Sequence, residues 1–382
     1  MDTLEQQLNT FLEKRKANET FRTLYTDKHL IDFSSNDYLG LAHSAWIKQQ
    51  IDFELKTNFL FHKTGATGSR LLSGNSALYE EIESSLADFH HAESALLFNS
   101  GYNANLGLIA TVARKNDLII YDELSHASIL QAIKIADAES LKFLHNDIQN
   151  LKDLLEKNHT KYNHIFIVTE SVFSMDGDIA PLQEMVGLCK IFHTNMIVDE
   201  AHATGIFGKN GSGICNELNI ERDCFARVYT FGKAMGAHGA VVVGSKILKD
   251  YLINFSKPFI YSTALSLYDL LHIKYSYQFI QKFNYSVKQL KSNIEYFKEK
   301  ISIQSLTSNI IGKGPVFALL VEGSENCRSK AKYIQEKGFD IKPIVYPTVT
   351  KGKERLRIIV HSFNTIKEID SLIGQFEDVE MC

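Results

Sequence analysis

Two side chains capable of chemistry stand where apolar runs of this chain end. Lys233 lies in the glycine-rich stretch "TFGKAMGAHGA" (230–240), with an apolar run before it and another after it. Asp199 ends the run 196–198, and His202 follows three residues later. A lysine held away from water becomes a nucleophile toward carbonyl carbon. A carboxylate at the mouth of a buried strand needs a cation or hydrogen-bond donors to offset its lost hydration.

Together, Lys233 and Asp199 predict a site for pyridoxal 5'-phosphate (PLP). The lysine would form a Schiff base with the cofactor aldehyde, and the aspartate would pair with the pyridinium nitrogen. Simpler readings stay open from spacing alone. Lys233 could extend from its turn to solvent, and Asp199 could cap the turn that follows it.

A phosphate site is predicted where Ser100 and Gly101 precede a helix. Backbone N–H groups at a helix N-terminus bind phosphate, and the hydroxyl of Thr230 could add a donor. His126 follows a plausible N-cap, Ser125, so it is either an ordinary first-turn histidine or a ring that stacks on the cofactor.

The elements that must position these residues are short apolar strands alternating with helices. This pattern predicts an α/β fold with a mostly parallel sheet covered by helices. Ligands of such sheets bind beyond the carboxyl ends of the strands, where these polar residues stand. We expect an N-terminal helix and strand segment at 1–40, a large cofactor-binding domain at 41–280, and a small C-terminal α+β domain at 281–382.

Composition excludes several classes of function. The 382 residues carry a formal net charge of −4, and no basic block suggests nucleic acid. No apolar run approaches the length of a membrane span, the polar start is unlike a signal peptide, and no metal-binding motif is present. Five scattered cysteines favour a reduced, cytoplasmic protein.

Nine segments in order resemble the α-oxoamine synthases, a family of fold-type I PLP-dependent transferases. The likeness covers nearly the whole chain. The segments are "SSNDYLGL", "GATGSRLLSGN", "NSGYNAN", "DELSHASI", "ESVFSMDGD", "VDEAHATGIFG", "TFGKAMGAHGA", "IYSTALS" and "PTVTKGKERLRI".

The resemblance implies roles for the cofactor-site residues. Lys233 holds PLP, Asp199 pairs with its ring nitrogen, and His126 stacks on the ring. His202 binds the phenolic oxygen, with Ser174 nearby. The phosphate and its surroundings are lined by Gly101, Tyr102 and Thr230. Catalytic roles fall to Lys233, His126, Asp199 and His202.

The resemblance also implies the substrate contacts and a shared site. Ser262 and Thr263 match a segment that reaches the phosphate of a neighbouring subunit, so a homodimer is expected. Arg357 matches the residue that binds the substrate carboxylate, although spacing alone leaves Arg355 and Arg357 as two strand arginines. Asn36, Arg22 and Thr348 match further substrate positions. In one departure, Tyr79 stands where many relatives carry histidine.

The implied reaction is a decarboxylative condensation of an amino acid with an acyl thioester. "GATGSRLLSGN" and "ESVFSMDGD" favour the branch that joins L-alanine to a pimeloyl thioester, carried by coenzyme A or an acyl carrier protein. Alternatives are a sister synthase that uses glycine and a short acyl-CoA, a fold-type I aminotransferase, and a cofactor-free binding protein.

Overall fold

A computed structural model describes residues 3–18, 20–24, 26, 29–58, 65–304 and 306–381. The chain forms two compact units. The larger holds 36–174 and 179–288, and the smaller holds 1–35, 175–178 and 289–382. These units end near the boundaries expected at 40 and 280, but the short segment 175–178 joins the smaller unit. The three functional domains stay a prediction.

Thirteen strands lie within the described residues. In chain order they are β1 (Ile31–Asp32), β2 (Ser94–Phe98), β3 (Leu118–Asp122), β4 (Glu139–Phe143), β5 (Ile165–Glu170), β6 (Asn195–Asp199), β7 (Ala226–Thr230), β8 (Ala240–Gly244), β9 (Ile310–Ile311), β10 (Val316–Leu320), β11 (Phe339–Asp340), β12 (Lys342–Ile344) and β13 (Arg355–Ile359).

Fourteen α-helices lie within the same residues. They are α1 (Leu4–Ala17), α2 (Ala45–Thr57), α3 (Ala77–Phe89), α4 (Gly101–Val112), α5 (Ala127–Ile135), α6 (Ile148–Asn158), α7 (Leu182–Phe192), α8 (Ile214–Glu217), α9 (Lys246–Phe255), α10 (Lys257–Ile260), α11 (Leu267–Lys282), α12 (Tyr285–Ile303), α13 (Ser324–Glu336) and α14 (Ile366–Met381). No described helix combines the length and apolar character needed to cross a membrane.

The larger unit is built on a seven-stranded sheet, which confirms the predicted α/β class. Its order is β2-β8-β7-β6-β5-β3-β4, and only β8 runs antiparallel to its neighbours. The central strands are buried along nearly their whole length, as expected where helices cover both faces. Two apolar clusters fill the space between the sheet and these helices.

The smaller unit contains the four-stranded antiparallel sheet β12-β13-β10-β9 and the parallel pair β1-β11. A capping box precedes its last helix. Thr365 N–H donates to Glu368 Oε2 at 2.7 Å, and Glu368 N–H donates to Thr365 Oγ1 at 3.2 Å. These two bonds satisfy N–H groups at the start of α14.

The lysine turn links the antiparallel strands β7 and β8. Phe231 N–H donates to the Gly239 carbonyl at 3.0 Å, which closes the turn. Inside it, Gly236 has a φ of +62°, and a Cβ built there would lie 2.2 Å from the backbone nitrogen of Ala42. The turn that carries Lys233 therefore packs directly on the backbone that follows "SSNDYLGL", and only glycine fits this contact.

Gly236→Ala is expected to destabilise the protein, because alanine there combines a strained φ with a backbone clash. We expect a loss of at least about 2 kcal/mol in the free energy of unfolding, measured by urea titration. Gly187→Ala is the matched control. It lies inside α7 with no atom within 4 Å of the added Cβ, so it should gain about 0.5–1 kcal/mol. Equal stability of the Gly236 variant and wild type would contradict this packing.

Candidate active site

The Asp199 carboxylate is buried at the end of β6 and held by two donors. Its Oδ2 accepts from Asn105 Nδ2 at 2.6 Å, and its Oδ1 accepts from the Ala201 N–H at 2.9 Å. Asp199 is only 5% exposed. Hydrogen bonds of this kind stabilise and orient a charged carboxylate that burial would otherwise disfavour.

A short hydrogen-bond relay runs from Asp199 to His126. Asn105 Nδ2 also donates to Ser128 Oγ at 3.0 Å, and that hydroxyl lies 2.8 Å from His126 Nδ1. The Ser128 N–H donates to the same ring nitrogen at 3.2 Å. Because Nδ1 accepts from Ser128, the His126 ring is neutral, with its proton on Nε2.

The electrostatics around His126 agree with this proton assignment. Desolvation by neighbouring protein atoms lowers the pKa of His126, the Asp199 carboxylate opposes that shift, and the Lys233 ammonium adds to it. His126 itself is exposed at the N-cap of α5, where a ring could present one face to a ligand.

Glu170 is a second buried carboxyl group, which ends β5 directly beside Asp199. Burial, and then the charge of Asp199, raise the pKa of Glu170 to about 8, and the positive charge of Lys233 opposes them. Its Oε1 accepts from the His126 N–H at 2.7 Å. At neutral pH, the Glu170 carboxyl therefore keeps its proton while it anchors the start of α5.

Lys233 is half-buried on the turn after β7. Its charge acts on both His126 and Glu170, as the charge of Asp199 does. The structure thus brings together Lys233, Asp199 and His126, three residues that the sequence placed in one site. Glu170 had no predicted role.

A cradle for an anion forms where Thr230 meets the first turn of α4. A Cβ built on Gly101 would lie 2.4 Å from Thr230 Cγ2, so only glycine permits this approach. Among the described residues, Thr230 Oγ1 is one of the buried side-chain oxygens without a hydrogen-bond partner. A donor hydroxyl beside a helix N-terminus suits a phosphate group, so these residues fit PLP.

His202 lies on the turn after Asp199 and is 4% exposed. Its Nδ1 is 2.6 Å from the Tyr38 hydroxyl, which lies 3.2 Å from Asn36 Oδ1. The predicted substrate residue Asn36 is thus connected to the predicted cofactor residue His202 through one tyrosine.

Two more of the predicted cofactor residues lie at the ends of the sheet strands. Ser174 is half-buried in the loop after β5, and Tyr102 is 45% exposed in the first turn of α4.

The segment "IYSTALS", which is predicted to reach a neighbouring subunit, contacts the segment "GATGSRLLSGN" within the chain. Ser69 and Thr263 form an isolated β-bridge, and Asn99 Nδ2 donates to the Thr263 carbonyl at 3.4 Å. Ser262 and Thr263 are half-buried and exposed, respectively. No described contact joins them to Lys233 within the chain, so their role at a partner's phosphate stays a prediction.

Tyr79 anchors the same segment from beneath. It is 1% exposed, and its hydroxyl accepts from the Leu265 N–H at 2.6 Å. The Arg70 guanidinium lies 4.0 Å above its ring. Burial is the main cause that raises the pKa of Tyr79 to about 12. The tyrosine at this position is therefore a neutral anchor for the segment.

The other predicted substrate residues belong to the smaller unit. Arg22 and Thr348 are exposed, and Arg357 is half-buried on β13. The neighbouring strand arginine, Arg355, is buried and forms an ion pair with Asp176. Substrate binding at Arg22, Thr348 and Arg357 stays a prediction.

Sequence reasoning missed three side chains that hold the site together: Asn105, Ser128 and Tyr38. Each lies inside a quoted family segment. Asn105 is four residues beyond Gly101, one helical turn along α4, and this spacing alone could have placed it near the site. Within the described ranges, no group of three or more His, Cys, Asp or Glu residues could hold a metal ion.

Comparisons with known proteins identify the family to which this fold and sequence belong. Residues 28–376 match the family described as aminotransferase class I and II. A curated relative from Emericella nidulans, named 8-amino-7-oxononanoate synthase, is 38% identical over 364 residues. The match covers 90% of this chain and 87% of the relative.

Solved structures of two other proteins have a similar fold. A serine palmitoyltransferase from S. paucimobilis, solved with a bound PLP–myriocin aldimine, has a TM-score of 0.89 and 25% identity. The match covers 100% of this chain and 99% of that one. An 8-amino-7-oxononanoate synthase from Francisella tularensis has a TM-score of 0.79 and 28% identity, covering 93% and 99% of the two chains.

Glu170→Gln is expected to change how the stability of the cofactor-free protein depends on pH. The folded carboxyl has a pKa of about 8 against an ordinary 4.5, so the folded state keeps a proton that the unfolded chain releases. The wild-type free energy of unfolding therefore falls as pH rises through this window. Glutamine has no such proton, so wild type should lose roughly 2–4 kcal/mol relative to the variant.

The measurement is urea unfolding of both proteins at several pH values between about 5 and 8. Glu336→Gln, at an exposed residue of α13, serves as the control and should follow the wild-type profile. Parallel profiles for wild type and Glu170→Gln would show that Glu170 does not hold a proton in the folded state.

Proposed function

Because the chain belongs to the class I and II aminotransferase family and uses pyridoxal 5'-phosphate, we propose that it condenses L-alanine with a pimeloyl thioester. The products are 8-amino-7-oxononanoate, carbon dioxide and free thiol, and the enzyme acts in biotin biosynthesis. The observation that carries the chemistry is the group of Lys233, Asp199 and His126 beside a phosphate cradle. The names of the relatives support the substrate pair.

The residues of the chain have separable tasks in this reaction. When bound, PLP supplies an electron sink for the bonds around the amino-acid α-carbon. Asp199, held by Asn105 and Ala201, keeps a negative charge at the position assigned to the ring nitrogen. Lys233 Nζ holds the cofactor and, once released, takes the proton from the substrate α-carbon. The same amine returns a proton after carbon dioxide has left.

Two other features favour these assignments. The neutral His126, with its proton on Nε2, can lie against the cofactor ring without adding a positive charge. The Thr230 hydroxyl and the first turn of α4 can donate to the phosphate, which fixes the cofactor at one end while its aldehyde reaches Lys233.

The assembly and location belong to the same proposal. We expect a homodimer in which Ser262 and Thr263 complete the neighbouring site, supported by the family likeness of "IYSTALS". The four described cysteines are free, which suits the cytoplasm. The acyl carrier is coenzyme A or an acyl carrier protein.

One other activity has a specific observation in its favour. The high TM-score to serine palmitoyltransferase favours a synthase that uses serine and a longer acyl group. A sister synthase that uses glycine and an aminotransferase are the further alternatives to test.

The deciding assay pairs alanine, glycine and serine with acetyl-, succinyl-, pimeloyl- and palmitoyl-thioesters. It measures thiol and carbon dioxide release together. We expect alanine with the pimeloyl thioester to have the highest kcat/KM. Another pair that is faster by tenfold, about 1.4 kcal/mol in transition-state binding, would overturn the substrates but leave the family intact. An aminotransferase would release neither product.

Lys233→Ala is expected to abolish covalent cofactor capture, because no amine remains to form the Schiff base. Borohydride treatment followed by peptide mapping should fix PLP on Lys233 in wild type and nowhere in the variant. Turnover should fall at least about a hundredfold, the lower range for losing a general base. Lys246→Ala, which removes an exposed lysine of α9, is the matched control. A fixed adduct on another lysine would refute the assignment.

A further inference from the structure

Tyr38, which had no predicted role, forms a buried pair with His202. The Tyr38 hydroxyl lies 2.6 Å from His202 Nδ1, Tyr38 is fully buried, and His202 is 4% exposed. The two rings lie 6.2 Å apart at 47°, so their contact is through the polar atoms rather than by stacking. Such a short contact between buried groups requires that one of them donate a proton.

We propose that Tyr38 is a positioning residue that donates its hydroxyl proton to His202 Nδ1 and thereby fixes the ring proton on Nε2. A neutral imidazole has one donor and one acceptor nitrogen, so a donor at Nδ1 decides which form is present. The proposal rests on the proposed function in one respect, because it takes His202 to face the phenolic oxygen of the cofactor.

Tyr38 has one hydroxyl proton, and its 2.6 Å contact with His202 Nδ1 is shorter than its 3.2 Å contact with Asn36 Oδ1. The shorter contact favours donation to His202, and the Asn36 amide then turns its Nδ2 toward the Tyr38 oxygen. In the opposite arrangement, His202 would donate from Nδ1, and the Tyr38 proton would go to Asn36 Oδ1 at 3.2 Å. The short 2.6 Å contact would then be donated by the imidazole N–H, which is a weaker donor than the phenol O–H of Tyr38. The neutral His202 ring would present only an acceptor at Nε2. A phenolate oxygen is itself an acceptor, so this ring form would repel it.

Packing holds Tyr38 in place for this task. The Tyr38 N–H donates to the Asn36 carbonyl at 2.8 Å. Next along the chain, Leu39 packs near Gly205, three residues beyond His202, and the following backbone packs on Gly236 of the lysine turn. The tyrosine is therefore braced against both turns that carry predicted cofactor residues.

The consequence is a tuned proton affinity of the bound cofactor. A donor at Nε2 would stabilise negative charge on the phenolic oxygen of the cofactor. The oxygen would then attract the neighbouring Schiff-base proton less strongly, and the pKa of that proton would be lower. Removing the Tyr38 hydroxyl frees the ring to adopt either form and weakens this donor. The pH midpoint of the cofactor's visible absorbance should therefore rise.

The test is a spectroscopic pH titration of Tyr38→Phe holoenzyme in the absence of substrate. We expect the midpoint to rise by about 0.4–1 pH unit, which corresponds to the net contribution of one hydrogen bond. The matched control is Tyr277→Phe. It removes a hydroxyl that lies 2.9 Å from His90 Nε2 in another buried tyrosine–histidine pair and should leave the midpoint unchanged.

Two further variants make the result decisive. His202→Ala should raise the midpoint, and adding Tyr38→Phe to it should cause no further rise, since Tyr38 acts only through His202. 3-Fluorotyrosine at position 38, a stronger donor of the same shape, should lower the midpoint. An unchanged or lowered midpoint in Tyr38→Phe, or additive shifts in the double variant, would overturn the proposal.

Failure of the proposed function gives a different outcome. The titration needs no amino acid or thioester, so a wrong substrate pair changes the product assay and leaves the midpoints as expected. Borohydride capture on Lys233 in each variant confirms that the cofactor is bound where the titration requires it.

Discussion

Two buried carboxyl groups side by side set the strongest constraint on this structure. Glu170 and Asp199 are register partners at the ends of neighbouring parallel strands, and two adjacent charges cannot both be kept out of water. The protein resolves this conflict by giving them different partners. Asp199 receives two donors from Asn105 and Ala201, whereas Glu170 keeps its proton and accepts one backbone N–H. A negative charge is thus held at one strand end and suppressed at the next.

The helices and turns around these two carboxyl groups supply the hydrogen-bond donors and the positive charge that stabilise them. Helix α4 brings Asn105 to Asp199, and α5 begins on Glu170 with the neutral ring of His126 at its cap. The lysine turn places a positive charge that acts on Glu170 and His126. Close backbone approaches hold these elements together, at Gly101 against Thr230 and at Gly236 against Ala42. A methyl group added to either glycine would clash with its neighbour, so these elements can shift little relative to one another.

The chemistry that the family shares and the choice of substrate depend on different predicted residues of this chain. The predicted cofactor residues belong to the larger unit, where buried charges and close packing hold them in place. Enzymes that act on different acyl groups have nearly the same fold, as the likeness to both a serine palmitoyltransferase and an 8-amino-7-oxononanoate synthase shows. One methyl group in a pocket is worth only about 1–3 kcal/mol, so modest side-chain differences can redirect such a scaffold.

The sequence alone determined the fold class and the order of the elements, and it placed Lys233, Asp199 and His126 in one predicted site. Apolar periodicity and ordered motifs are local properties, so Lys233 on its turn and Asp199 at its strand end could be read directly. Tertiary structure alone decided the partners. Asn105 reaches Asp199 across 94 residues and Tyr38 reaches His202 across 164, and no local pattern encodes such meetings. The ionisation of Glu170 was also decided there, because the pKa of a carboxyl group depends on the burial and the charges that the surrounding structure imposes on it.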